Sequence, residues 1–225
     1  MSIQISTEPE PYPMLPIDAL EAIVDQACDD TPSLRKLSLS CRAFQPRARY
    51  YLFSSIVVHD LEQMETSREF LDSRPWLPPL VRKVTLCTTA IRPDRQVNLN
   101  IRLPDVVPVH LLSRLTNLHT WKMELRDNRS GGNEEASVLF HRSALSCYQR
   151  YGRRTSIQHL ELSDVPFEDI SDFIRLISAF SAIESLTCSY TRFRTAKQYH
   201  SSDLHLPELA FAARKLKLKR LCVSI

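Results

Sequence analysis

Apolar residues along this chain follow two patterns, which change over near residue 55. Before it they recur at steps of three and four. Ile17, Leu20, Val24 and Ala27, with Ile23 beside them, give one face of a helix from about Pro16 to Cys28. Pro16 suits a first helical position, and Asp18 and Glu21 suit the positive end of the helix dipole. Asp29 to Ser33 interrupts, with Thr31 the expected N-cap and Pro32 the next first-turn residue. Leu34, Leu37 and Cys41 place a second helix, which Pro46 is expected to end by disfavouring a helical Gln45. A third helix from Pro46 presents Leu52 and Phe53. A stretch of about 45 residues is near the lower limit for a self-sufficient core, so this many apolar groups in it imply a partner.

Beyond that point Ser55 to His59 reads as a strand. Leu61 to Ser73 reads as a helix with Leu61, Met64, Phe70 and Leu71 inward, stopped by Pro75-Trp76-Leu77-Pro78-Pro79. The form apolar-x-x-apolar-x-apolar then appears five times: Val81/Val84/Leu86, Leu118/Trp121/Met123, Ile157/Leu160/Leu162, Ile183/Leu186/Cys188 and Leu218/Leu221/Val223. Such a segment is a short strand that turns alternate residues inward. Return helices are expected at about Val106–Arg114, Glu134–Tyr151, Phe167–Phe180 and Leu206–Lys215, the clearest carrying Phe167, Ile170, Phe173, Ile174 and Ile177 at helical spacing with Glu168 and Asp169 in its first turn. Strand, helix, strand in succession makes an α/β fold with a parallel sheet. Thr88–Asn100 and Arg126–Ser137 read as excursions, the second a solvated loop holding the only Gly-Gly.

The blocks Leu15-Pro16-x-Asp18-x-Leu20-x-x-Ile23, Leu34 to Phe44, and Arg49-x-x-Leu52-Phe53-x-x-Ile56 resemble the F-box motif of fungal F-box proteins. The resemblance implies a three-helix module that docks onto the Skp-type adaptor of a cullin–RING ubiquitin ligase. It puts Leu15, Pro16, Leu20, Ile23, Leu37, Cys41, Phe44, Leu52 and Phe53 at or supporting that interface. Phe44 stands where the family often has Trp and remains a large apolar anchor. The repeated form resembles the L-x-x-L-x-L core of a leucine-rich repeat. Its middle positions Val84, Trp121, Leu160, Leu186 and Leu221 are 37, 39, 26 and 35 residues apart. Most of these steps are longer than the usual repeat of about 20–29 residues, so insertions or longer helices fill the returns. The family's Asn or Cys ladder is replaced by Thr89, Arg126, Val165 and Thr191, which marks the repeat as divergent.

The resulting organisation is a disordered tail at 1–13, an F-box-like module at 14–54, and an irregular leucine-rich-repeat-like solenoid at 55–225 without a polar C-terminal cap, which leaves the chain truncated or its last edge exposed to a partner. Positions facing away from the solenoid core are Lys83, Thr85, Thr120, Lys122, Glu124, His159, Glu161, Ser163, Ser185, Thr187, Arg220 and Ser224. Of these, Lys83, Thr85, Lys122, Glu124, His159, Glu161 and Thr187 are the candidate substrate contacts.

Composition narrows the chemistry. A net charge of +3 is too small to indicate nucleic acid, and the three glycines, Gly131, Gly132 and Gly152, exclude phosphate-cradling loops of the P-loop or GxGxxG type. No stretch approaches the ~18 apolar residues of a membrane span. No Lys or Arg precedes Arg35, which excludes an ordinary secretory signal. The six cysteines contain no Cys-x-x-Cys pair and fit reduced thiols of cytosol or nucleus. Seven histidines form no His-Glu-x-x-His, and His200 with His205 lacks a third ligand, so no metal, cofactor or catalytic residue is expected. The basic run Arg214 to Arg220 alternates with leucines and reads as a solvated turn into a strand in preference to a nuclear-import patch.

The expected function is therefore a non-catalytic substrate receptor. The helices would bind a Skp-type adaptor and through it a cullin, and the repeats would hold an unidentified protein substrate in cytoplasm or nucleus. The alternative is a repeat-based scaffold whose N-terminal helices cap the solenoid, burying Leu20, Ile23 and Phe53.

Overall fold

The computed structural model describes residues 15–89, 103–126, 142–193 and 218–224. They form two compact units that divide between Phe53 and Ser54. The expected tail, the helix at Leu206–Lys215, residues 134–141 of the helix expected at Glu134–Tyr151, most of both excursions, His200 and His205 lie outside the described residues.

The first unit holds α1 (Ile17–Gln26), α2 (Thr31–Ser40) and α3 (Gln45–Phe53). Its core is small: Val24, Leu34 and Ala48 are sealed from solvent, and Ala27, Leu37, Phe44, Tyr51 and Leu52 pack around them. Asp25 of α1 locks α3 in place, because both of its oxygens accept from Arg47 (2.7 and 2.9 Å) and one also accepts from the Tyr51 hydroxyl at 3.0 Å. The Arg47 hydrogen bonds hold the Asp25 carboxyl below its ordinary range, against the opposing effect of desolvation.

Two local expectations are corrected here. The cap of α2 is Asp30, one residue before Thr31, and its carboxylate accepts from the Ser33 N–H at 3.4 Å. A carboxylate there also meets the dipole, an advantage a threonine hydroxyl lacks. Pro46 does not end α2, which stops at Ser40 with Cys41 extended (φ −150°, ψ 140°). Gln45 is helical, and Pro46 lies in the first turn of α3, where no N–H partner is forfeited.

The second unit is an α/β fold on a six-stranded parallel sheet of β1 (Ser55–Val58), β2 (Lys83–Thr89), β3 (Thr120–Arg126), β4 (His159–Ser163), β6 (Ser185–Ser189) and β8 (Arg220–Ser224), in that order. Two short strands, β5 (Pro166–Phe167) and β7 (Arg192–Phe193), pair separately. The five sequence hexads are in register, with Val84, Trp121, Leu160, Leu186 and Leu221 side by side. Phe53-x-x-Ile56-x-Val58 has the same form, and Ile56 and Val58 pair with Val84 and Leu86. The first four of the expected triplets are buried, whereas Leu221 and Val223 are 49% and 54% exposed.

One backbone device repeats at every step across the sheet. The carbonyls of Ser54, Arg82, His119, Gln158 and Glu184 each accept from two consecutive N–H groups at the start of the next strand, at 2.8–3.0 Å. After β4 and β6 the chain turns at Asp164 (φ 56°) and Tyr190 (φ 55°), equivalent positions in left-handed conformation. A non-glycine there costs roughly 1–2 kcal/mol. The turns start the pairing of Phe167 with Phe193 and donate Asp164 N–H to Ser189 and Tyr190 N–H to Ser224.

The returns differ more from expectation. Helix α4 (Leu61–Asp72) is capped by Asp60 and buries Met64 and Leu71, but Leu61 and Phe70 are each 37% exposed. Phe70 lies a hundred degrees round the helix from Leu71, and the Arg74 guanidinium covers its ring at 4.1 Å. The return expected at Val106–Arg114 is α5 (Leu103–Val107) running into a π-helical turn, Pro108–Leu112. Pro108 has no N–H to give and its ring crowds the preceding carbonyl, which favours the wider turn. α6 spans Arg142–Gly152 and α7 spans Ile170–Ser178. Phe167 is thus in a strand, outside the helix expected to hold it, and Asp169 is the cap that accepts from the Asp172 N–H at 2.9 Å. Behind the sheet Trp121, Tyr148 and Phe180 form an edge-to-face column with centroids 6.0 Å apart at each step.

Candidate functional site

Two surfaces carry the residues singled out by sequence. On the first unit Leu15 and Ile23 are exposed (56% and 42%), as are Pro16 and Cys41. Leu20 and Phe53 are half-buried. Leu37, Phe44 and Leu52 pack on the Val24–Leu34–Ala48 core, so they support the surface from beneath. Ile17 (56%) and Leu39 (87%) are exposed as well and were not among the site residues expected. Leu39 was findable: two residues after Leu37, it lies about 200° away on a helix and must face outward when Leu37 faces in.

On the second unit the face opposite the buried triplets presents three rows across the strands. Ser55, Lys83, Thr120, His159, Ser185 and Arg220 form the first. Val57, Thr85, Lys122, Glu161, Thr187 and Cys222 form the second. Cys87, Glu124, Ser163, Ser189 and Ser224 form the third. Every expected outward position is on this face, and the register adds Ser55, Val57, Cys87, Ser189 and Cys222.

Thr85 corrects the expectation, since it is only 8% exposed and Cys87 beside it only 3%. Alternation assigns a residue to a face, but it does not report what covers that face. The Lys122 ammonium lies 3.5 Å from Glu124 and 4.0 Å from Glu161, so in the middle of the sheet face one cation is shared by two carboxylates. Just before the strands, Arg82 donates to Nε2 of His119 at 2.6 Å and Lys219 pairs with Glu184 at 2.9 Å.

All six cysteines are free thiols, with burial pushing the Cys188 thiol up to about 12. Among the described residues no three His, Cys, Asp or Glu side chains converge on a metal position, and no helix is long and apolar enough to cross a membrane. No family model matches the chain, and no curated protein matches it as a relative.

Proposed function

We propose that the chain is a substrate-receptor subunit of an SCF-type cullin–RING ubiquitin ligase. In this reading the first unit is an F-box module that docks a Skp-type adaptor, and the second is a divergent leucine-rich-repeat-like solenoid that holds a protein substrate. The observation that carries it is the exposure of Leu15, Ile17 and Ile23 on and beside α1, in a unit whose described residues include three fully buried apolar side chains. So small a module with apolar groups left in water gains by covering them with a partner. The unbroken parallel strand order and the aligned apolar triplets support the repeat reading of the second unit. The chain contributes tethering: substrate held near the ligase's charged E2 experiences an effective concentration on the order of millimolar. The action takes place in cytoplasm or nucleus.

The test is co-expression of the full chain with a Skp-type adaptor, comparing wild type with Leu15→Ala/Pro16→Ala and with Ile23→Asp. A carboxylate forced into a desolvated contact costs several kcal/mol, enough to abolish a micromolar complex worth about 8 kcal/mol. Far-UV circular dichroism confirms that the exposed substitutions leave the fold intact. Failure of wild type to capture the adaptor, or equal capture by all three chains, overturns the proposal.

A further inference from the structure

The first row of the sheet face alternates in chemistry as it crosses the strands: Ser55, Lys83, Thr120, His159, Ser185, Arg220, or hydroxyl then basic, three times over. Adjacent strands are about 4.8 Å apart, so the basic groups recur at about 9.6 Å. His159 and Arg220 are exposed and Lys83 is half-exposed. Among the described residues none of the three is engaged in an ion pair.

We propose that this row binds an extended anionic segment of a partner protein, lying across the strands in polyproline II conformation with a carboxylate or phosphate side chain at every third residue. Polyproline II has three residues per turn and rises about 3.1 Å per residue, so every third side chain points the same way about 9.3 Å along. That repeat matches the basic spacing of the row, whereas the side chains on one face of a β-strand recur at about 6.8 Å and fall out of step. Lys83, His159 and Arg220 each meet one anionic side chain. Thr120 and Ser185 lie between them, where their hydroxyls reach the backbone carbonyls that a polyproline II segment leaves free.

The neighbouring rows set the position of the segment. Glu161 and Glu124 lie one and two rows away, and Lys122 is shared between them. A segment displaced toward them brings its acids against carboxylates and is repelled, so the row is selected by repulsion as well as attraction. Glu184, which precedes the row, is already paired with Lys219.

This inference names the chemistry of the substrate and rests on the receptor reading only for that role. Its test contains no adaptor, so failure here leaves adaptor capture untouched, and the reverse also holds. Fluorescence anisotropy on the full chain compares three labelled peptides: Glu-Pro-Pro repeated three times, the same composition with its three glutamates contiguous, and the spaced peptide with phosphoserine for glutamate. The spaced glutamate peptide is expected to bind at least threefold more tightly than the contiguous one, and binding weakens between 50 and 200 mM salt. Tighter binding of the spaced phosphoserine peptide identifies a phosphorylated partner, and equal binding an acidic one. Lys83→Gln and Arg220→Gln each weaken the spaced peptide about two- to fivefold. Equal affinity for spaced and contiguous peptides, binding of neither, or unchanged affinity in the Lys83→Gln/Arg220→Gln chain overturns the proposal.

Discussion

Gly152 ends α6 where the helix comes up against the chain leaving α7, and replacing it with alanine tests how tightly the return layer is packed. A Cβ built on Gly152 lies 2.8 Å from the carbonyl oxygen of Ala179 and 2.8 Å from Cδ1 of Phe180. Ordinary contact begins at 3.4 Å, so the neighbours must retreat by more than half an ångström. The carbonyl is fixed backbone, and Phe180 is fully buried in edge-to-face contact with Tyr148, which itself meets Trp121. Overpacking of this kind costs about 1–3 kcal/mol, while alanine returns roughly 0.4–1 kcal/mol by restricting the unfolded chain. The net expectation is a loss of about 1–2 kcal/mol, which for a domain of this size lowers the melting temperature by roughly 3–6 °C. Urea unfolding followed by tryptophan fluorescence measures it, with Gly152→Val expected to lose more. A Gly152→Ala chain as stable as wild type refutes the close approach.

Three further outcomes follow from named contacts. Asp25 has its carboxyl value lowered in the fold by Arg47, so its contribution to stability is present above the ordinary value of 3.8 and is lost as pH falls through the depressed one. Wild type should therefore melt above Asp25→Asn at pH 7 and converge with it below pH 3.8, whereas a gap independent of pH speaks against the ion pair. Trp121 buries its indole N–H without an acceptor among the described residues. Trp121→Phe removes an unmet donor worth about 1–3 kcal/mol while opening a small void, and the two nearly cancel; Trp121→Ala should lose about 3–5 kcal/mol in urea unfolding, and equal losses for both would sink this account. Alkylation of the native chain followed by mass spectrometry should label exposed Cys41 and Cys222 first and leave buried Cys87 and Cys188 unlabelled until unfolding, an order whose reversal contradicts the burial.

Strands β2, β3, β4, β6 and β8 were legible because each combines a step of three with a step of two between apolar residues, a pattern that fits a strand with its preceding turn. The returns were less so. Phe167 stands at helical spacing from Ile170 and Phe173 and still belongs to a strand, because pairing with Phe193 depends on a residue 26 positions later. Pro108 could be read as a helix interruption, but not as the start of a π turn. The exposed side chains of α1 followed from having more apolar residues than a short module can bury. The burial of Thr85 did not, since it depends on what covers the face and not on alternation within the strand.

The row was legible only through the repeat. Lys83, Thr120, His159, Ser185 and Arg220 are separated by returns of unequal length, and what relates them is that each stands directly before the middle apolar residue of its hexad. What aligns them is the requirement that Val84, Trp121, Leu160 and Leu186 meet in one buried layer, because each polar residue directly precedes its apolar neighbour. A slip of one residue in any strand would bring its charge into the core and its core residue into water, so the pairing that buries Trp121 is the one that presents His159 beside Thr120. The face that carries the row is in this sense fixed from behind. Substitutions in the buried layer that shift register should abolish peptide binding without touching the row, while those on the row should change binding and leave stability alone.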